Sequence, residues 1–294
     1  MVSIARKRVM TNIAFAALSV LALFVLFIGL LWTFQERIAF QPQGPPFPDE
    51  SGVQRVDYAA ADGQPLLAYL VGDPQATRGL LLAFHGNADL AILQVAWANE
   101  VARRTGLTVM LAEYRGYMGL PGRPSYAGSQ LDAEAAWRFA RDTLGVSPDR
   151  MAFFGHSLGT AVATELAAKH HPAALLLQSP FTSARDMAGI MVGRRPTGVT
   201  WKLVSRLHFD TGAQVARLDV PVSVVHGELD RLIPTHMGKT VFAAAKQKGE
   251  WLLVPSASHN DVVESGGDAY WNWITRALAP LSSRNALVEK AGPE

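Results

Sequence analysis

Residues 151–160 constrain the fold of this chain more than any other stretch. Four residues, Met-Ala-Phe-Phe, lead into Gly155-His156-Ser157-Leu158-Gly159, and an Ala-rich run follows. This order predicts a strand, a sharp turn and a helix, with Ser157 at the apex and its Oγ exposed above a sheet. Gly155 and Gly159 leave room where a side chain would crowd the strand or the helix. A glycine-rich turn without chemistry would have the same G-x-S-x-G letters, so the rest of the chain must decide.

Strand and helix patterns alternate along the chain from residue 53 to residue 281. Residues 53–59 and 65–71 predict a hairpin with Asp62-Gly63 at its turn. Short apolar runs predict buried strands, and stretches with helical period predict the helices between them. The later strands are predicted at 79–84, 107–112, 151–154, 173–178, 220–226 and 251–254, and the helices at 90–105, 129–144, 160–169, 234–246 and 270–281. We therefore expect an α/β fold with a doubly wound, mostly parallel sheet.

Polar residues at the strand ends indicate the chemistry, because ligands of such sheets bind beyond the carboxyl ends of the strands. Ser157, Asp230 and His259 each follow a predicted strand, in the chain order nucleophile, acid, base. Acyl transfer by a serine needs a base that takes its proton and an acid that orients the base. Glu228, two residues before Asp230, is the alternative acid.

The other histidines fit the role of the base less well. His156 adjoins the nucleophile and projects differently from the turn, and His226 is expected to be a core histidine of its strand. His85 precedes a glycine at the end of a core strand and is expected to shape the loop that follows.

Two backbone N–H groups are candidates for an oxyanion hole. Leu158 opens the helix after the nucleophile, where the N–H groups and the helix dipole favour negative charge. The second donor is expected in the loop after the third strand, His85-Gly86-Asn87, and we assign it to the N–H of Asn87. The alternative is that the Asn87 side chain only shapes this loop.

The N-terminus predicts a transmembrane helix. Arg6-Lys7-Arg8 precede an uncharged run over 9–35, and its apolar centre at 13–32 is long enough for a bilayer core of roughly 30 Å. The basic cluster predicts a cytoplasmic N-terminus, and thus a catalytic domain on the extracytoplasmic (periplasmic) side. A cleaved signal peptide is the alternative, but Leu30-Leu31-Trp32 offers no small-residue cleavage site.

These patterns divide the chain into four parts. Residues 1–35 are the N-terminal stub and the signal anchor, and residues 36–50 are a Pro-rich linker. Residues 51–281 form the α/β domain, and residues 282–294 a polar tail. Within the domain, the irregular segment 182–219 is expected to be a short lid insertion, and its alternative is a surface crossover helix.

Composition excludes several classes of function. The chain has no cysteine, which excludes a thiol nucleophile and a Cys-bound metal. A net charge of only +2 gives no indication of a nucleic-acid-binding surface. No H-x-x-x-H or paired-carboxylate spacing indicates a metal, and we expect that no cofactor is required. The oligomeric state stays open.

Six short stretches resemble the α/β-hydrolase superfamily. Within it, the chain is similar to the single-pass, membrane-anchored group that includes protein depalmitoylases, lysophospholipid lipases and many bacterial relatives. The matching stretches, which lie between about residues 50 and 280, are Phe-His-Gly-Asn-Ala (84–88), Glu-Tyr-Arg-Gly-Tyr (113–117), Gly-His-Ser-Leu-Gly-Thr (155–160), Ser-Pro-Phe-Thr-Ser (179–183), His-Gly-Glu-Leu-Asp-Arg-Leu-Ile-Pro (226–234) and Ser-His-Asn-Asp (258–261).

The resemblance implies a serine hydrolase for esters or thioesters, with acyl or lipid-like substrates at a membrane surface. Two features depart from the group. Met118-Gly119-Leu120-Pro121 replaces a usual Gly-x-Ser turn, and the cysteine-rich tail of a depalmitoylase is absent. A serine peptidase and a non-catalytic binding protein of the same fold remain the alternatives.

Overall fold

The structure is a computed structural model, and it describes residues 2–74, 78–192, 201 and 205–281. These residues form a sheet with the strand order β1-β2-β4-β3-β5-β6-β7-β8. The strands are β1 Gln54–Ala59, β2 Pro65–Val71, β3 Leu80–Phe84, β4 Thr108–Ala112, β5 Met151–His156, β6 Ala174–Gln178, β7 Pro221–Gly227 and β8 Gln247–Val254.

The sheet is parallel from β4 to β8 and antiparallel only at one edge. β2 pairs antiparallel with both β1 and β4, and each later neighbour pair is parallel. The central strands β3, β4 and β6 are buried at every residue, as their unbroken apolar runs require. The doubly wound, mostly parallel sheet expected from the sequence is therefore confirmed.

Helices cover both faces of the sheet. The helices of this domain are α2 Val95–Thr105, α3 Tyr126–Arg138, α4 Leu158–His170, α5 Ala184–Val192, α6 Thr211–Val215, α7 Thr235–Ala244 and α8 Val262–Ala277. α3, α6 and α7 lie on the same side as α4, which packs on β5, while α2 and α8 pack against each other on the opposite side. This winding leaves the carboxyl ends of the parallel strands free to carry a site.

The last two elements begin earlier than the sequence pattern predicts. β8 starts at Gln247 instead of residue 251, because its first half is a partly exposed edge whose polar residues hide the strand pattern. α8 starts at Val262 instead of residue 270. Its early part contains Gly267 at φ 47°, which interrupts the helical period.

The N-terminal helix, α1 (Val2–Ala39), stands apart from the sheet. Within it, Arg8–Ala39 is long and apolar enough to cross a membrane, with a mean hydropathy of 2.8 over its most apolar window and no residue of that window buried. The lid predicted at 182–219 is described only in part, as α5, Trp201 and residues 205–219 with α6. The tail predicted at 282–294 lies outside the described residues.

Candidate active site

Ser157 occupies the turn between β5 and α4. Its backbone is at φ 52° and ψ −116°, a strained conformation for a residue with a side chain. A Cβ on Gly155 would lie 2.2 Å from Gly159 O, and a Cβ on Gly159 would lie 2.1 Å from Phe84 O. Both glycines are thus required by close backbone approach, and the turn has the predicted strand–turn–helix form.

Ser157, His259 and Asp230 form a continuous hydrogen-bonded chain. The distance from Ser157 Oγ to His259 Nε2 is 3.0 Å, and His259 Nδ1 lies 2.7 Å from Asp230 Oδ2. All three residues are at most 8% exposed. The distances permit Nδ1–H to donate to the carboxylate while Nε2 accepts from the serine hydroxyl. The structure thus brings together the three residues that the sequence suggested.

Asp230 is held ionised by its surroundings. Burial alone would raise its pKa, but hydrogen bonds from His226 and His259 and from the backbone N–H of Ile233 lower the pKa well below its usual value. A carboxylate that stays charged is the form needed to orient and stabilise an imidazolium. The alternative acid, Glu228, instead accepts a hydrogen bond from the N–H of Ser256.

His226 contributes to the site in a way that the sequence did not indicate. It is fully buried, as expected of a core histidine, but its Nε2 lies 3.3 Å from Asp230 Oδ2 and 2.9 Å from Ile233 O. Its position directly before Gly227, in the stretch that leads to Asp230, was the only available signal. His226 therefore lies against the same carboxylate oxygen of Asp230 that His259 contacts.

The loop after β3 lies against the nucleophile. A Cβ on Gly86 would be 3.3 Å from Ser157 Cβ. Asn87 follows, and its Oδ1 accepts from the Tyr117 hydroxyl at 3.0 Å and from the N–H of Ala88 at 3.0 Å. The Asn87 side chain thus shapes the loop. Assignment of its backbone N–H, and that of Leu158 at the first position of α4, to an oxyanion hole remains a proposal.

A buried ion pair between His85 and Glu113 lies at the start of this loop. His85 Nε2 lies 2.6 Å from Glu113 Oε1, and both side chains are at most 1% exposed. Burial lowers the pKa of His85, but the charge and hydrogen bond of Glu113 more than offset this, so the pKa is raised overall. Glu113 Oε2 also accepts from the N–H of Ala91. The pair joins the ends of β3 and β4, and His85 therefore supports the loop rather than acting on a substrate.

His156 lies beside the triad, and its ring makes a hydrogen bond to the backbone of His259. Its ring centre is 5.4 Å from that of His259, and its buried Nε2 has no hydrogen-bond partner. Burial lowers the pKa of His156 to about 3, which keeps the ring neutral. A neutral ring adds no charge that would oppose protonation of His259.

The geometry fits nucleophilic acyl transfer, in which a general base takes the serine proton. In the part of the chain that the structure describes, no three His, Asp or Glu side chains are grouped so that they could hold a metal ion.

The chain resembles several known proteins along most of its length. It is 33% identical to the uncharacterized protein Rv2307c of Mycobacterium tuberculosis over 259 residues, which cover 85% of this chain and 89% of that protein. It is 31% identical over 183 residues to human alpha/beta hydrolase domain-containing protein 17B, and the match covers 62% of this chain and 60% of that protein. Protein bem46 of Schizosaccharomyces pombe is 27% identical, and the match covers 90% of this chain and 92% of that protein. No profile of a known protein family matches the chain.

Solved structures support the fold. The esterase Pf2001 of Pyrococcus furiosus superposes with a TM-score of 0.62 at 14% identity, over 83% of this chain and 98% of that protein. The superposition, the turn at Ser157 and the sequence relatives all indicate the same fold. The chain therefore belongs to the α/β-hydrolase superfamily, in the same family as the uncharacterized protein Rv2307c.

Proposed function

We propose that this protein is a serine hydrolase that cleaves carboxylic ester or thioester bonds of acyl or lipid-like substrates. The observation that carries the proposal is the chain of hydrogen bonds from Ser157 through His259 to Asp230, with distances of 3.0 and 2.7 Å. Ser157 attacks the acyl carbonyl while His259 Nε2 takes its proton, and His259 then gives this proton to the leaving group. Asp230 keeps the ring oriented and stabilises the imidazolium.

The negative charge that develops on the carbonyl oxygen needs donors that are in place before the reaction. We assign this role to the N–H groups of Leu158, at the start of α4, and of Asn87, in the loop after β3 that lies against Ser157. Water then attacks the acyl-enzyme, with His259 again as the base, and Ser157 is released. The proposed mechanism requires no cofactor.

Exposed apolar side chains near the site favour an acyl substrate. Leu229 and Leu232 flank Asp230 on the loop after β7 and are 56% and 59% exposed. Ile190 on α5 is 48% exposed, within the segment that we propose as a lid. Contiguous exposed apolar surface marks ligand contacts, and we propose that these side chains provide such surface for an acyl chain. A panel of p-nitrophenyl esters of graded chain length tests this, and turnover that does not rise with chain length contradicts it.

Replacement of the nucleophile is the direct test of the reaction. We expect Ser157→Ala to abolish labelling by a fluorophosphonate probe and to lower kcat for a p-nitrophenyl ester by about 10³-fold or more, because the three residues act as a unit. Circular dichroism of the variant controls for folding. Near-normal ester turnover by Ser157→Ala would exclude this serine as the nucleophile. Turnover of peptides but not esters would favour the peptidase alternative, and labelling and turnover absent from the wild type would favour the non-catalytic one.

We further propose that α1 anchors the protein as a single span, with the N-terminus cytoplasmic and the hydrolase domain on the periplasmic side. The support is the apolar length of Arg8–Ala39 and the basic residues before it. A periplasm-dependent reporter, such as alkaline phosphatase, fused after Glu294 is expected to be active. A cytoplasm-dependent reporter at the same position is the matched control, and its activity would reverse the orientation.

A further inference from the structure

The junction segment, residues 35–43, connects the end of α1 to the hydrolase domain and lies against the loop after β3. The backbone N–H of Gln41 donates to Asn87 Oδ1 at 2.6 Å. Two residues later, Gln43 Nε2 donates to the carbonyl of Ala88. The membrane-proximal chain therefore contacts the two residues that follow Gly86, which itself lies against Ser157.

These contacts hold a strained piece of backbone. Ala88 is at φ 53°, in the left-handed region that residues with a Cβ avoid. Its N–H donates to Asn87 Oδ1, and its carbonyl accepts from Gln43. Asn87 Oδ1 is the shared acceptor for Ala88, Gln41 and the Tyr117 hydroxyl. The direction of the Asn87 peptide thus depends in part on donors from the junction segment.

The junction segment is also fixed on its other side. Glu36 Oε2 forms an ion pair with Arg206 Nη2 at 2.7 Å, and the N–H of Arg206 donates to Gln35 Oε1 at 2.6 Å. Phe40 is only 3% exposed and packs 6.4 Å from the ring centre of Phe209. The junction segment is therefore fixed at both ends, by residues 206–209 and by the loop after β3, and we also call it the strap.

We propose that the junction segment positions the oxyanion hole, with Gln41 and Gln43 as positioning residues. This inference rests on the proposed function, in which the N–H of Asn87 stabilises the oxyanion. Because that interaction strengthens only as charge develops in the transition state, loss of the strap lowers kcat and leaves KM nearly unchanged. The effect extends to small water-soluble esters, so the strap does more than hold the enzyme near its substrate.

A matched pair of variants separates the backbone donor from the side chain. Gln41→Pro removes the N–H that reaches Asn87. Gln41→Ala keeps it and loses only the side-chain bond to Ile38 O. Residue 41 already precedes Pro42, which favours extended backbone compatible with a proline. The assay measures kcat and KM of the full-length protein in mild detergent with p-nitrophenyl acetate, and the thermal midpoint of each variant.

We expect Gln41→Pro to lower kcat by about 3- to 10-fold, as for loss of one hydrogen bond, with KM within about twofold. Gln41→Ala is expected to match the wild type. If Gln41→Pro does not fold, Gln43→Ala on the exposed side of the strap decides instead, and Tyr117→Phe, which removes the third donor, is measured beside it. Each is expected to lower kcat by a similar factor.

Equal kcat values for Gln41→Pro and Gln41→Ala would overturn the proposal, as would a rise in KM without a fall in kcat. If Gln41→Pro does not fold, unchanged kcat in Gln43→Ala does the same whatever Tyr117→Phe shows, because Tyr117 lies outside the junction segment. Either result leaves the proposed function intact as long as wild-type turnover is lost in Ser157→Ala. A wild type without Ser157-dependent turnover would instead remove the proposed function itself.

Discussion

Gly159→Ala tests whether the close approach of α4 to β3 sets the geometry of the nucleophile. A Cβ at residue 159 would lie 2.1 Å from the carbonyl oxygen of Phe84 and 2.7 Å from that of His85. Both obstacles are backbone atoms of the strand and loop that carry the proposed oxyanion donor. The new methyl group cannot be accommodated by rotation of a side chain, so the start of α4 must move away from the end of β3.

The expected magnitude follows from two opposing terms. Alanine is the better helix former, and this gain stabilises by about 1 kcal/mol. Overpacking against fixed atoms destabilises by about 1–3 kcal/mol or more. A shift of about 1 Å is needed to relieve the overlap, and a displacement of that size between reacting groups can lower kcat by about 10²-fold. We therefore expect a net loss of stability of about 0–2 kcal/mol together with a much larger proportional loss of activity.

Gly212→Ala is the matched control, because it makes the same substitution in α6 with space available. Its added Cβ would meet only Thr182 O, at 3.6 Å. This variant is expected to be equal in activity and up to about 1 kcal/mol more stable. Urea unfolding and kcat with a p-nitrophenyl ester measure both effects. A Gly159→Ala protein with wild-type kcat would refute the reasoning, since it would show that the elbow tolerates separation from β3.

Two further predictions concern the buried polar residues His226 and Glu165. His226→Leu removes the donor 3.3 Å from Asp230 and is expected to lower kcat by about 3- to 10-fold. His226→Gln, whose side chain can again donate to Asp230, is expected to recover kcat. Equal kcat in the two variants would show that His226 only fills space. Burial raises the pKa of Glu165 to about 7 despite hydrogen bonds from Tyr126, so the folded protein keeps a proton that the unfolded chain releases. The titration of Glu165 by itself should therefore lower stability by about 2 kcal/mol as the pH rises from 4.5 to 7, while His156, with its lowered pKa, acts in the opposite direction. Glu165→Gln should remove the Glu165 contribution and so change the pH slope of stability, measured by urea unfolding of wild type and variant at pH 5 and pH 8. An unchanged slope would contradict the assignment.

Much of the fold was predictable because its determinants are local. β3, β4 and β6 are short apolar runs, and both faces of such strands must be covered, which gives a parallel sheet with helices on both sides. The elements that were placed wrongly lack this local signal. β8 has polar residues over its exposed first half, and α8 contains Gly267 in a non-helical conformation. Their packing on β7 and on each other overrides the weak pattern of their own residues.

The candidate triad was also open to prediction, because the fold places strand ends together. Ser157, Asp230 and His259 are far apart in sequence but each follows a strand, and parallel strands bring their carboxyl ends to one edge. His226 was not assigned to the site for a related reason. A histidine inside a strand resembles any core residue until the loop after β7 turns Asp230 back to within 3.3 Å of its ring.

The strap contact lies at the limit of what sequence can indicate. Gln41 and Asn87 are 46 residues apart, and the donor is a backbone N–H that any residue but proline would supply. No side-chain pattern marks such a contact. It arises because Phe40 is buried beside Phe209 and Glu36 pairs with Arg206, which together fix where the chain leaves α1. The segment after α1, which has only the features of a Pro-rich linker in the sequence, thus supplies hydrogen bonds to the loop that lies against Ser157.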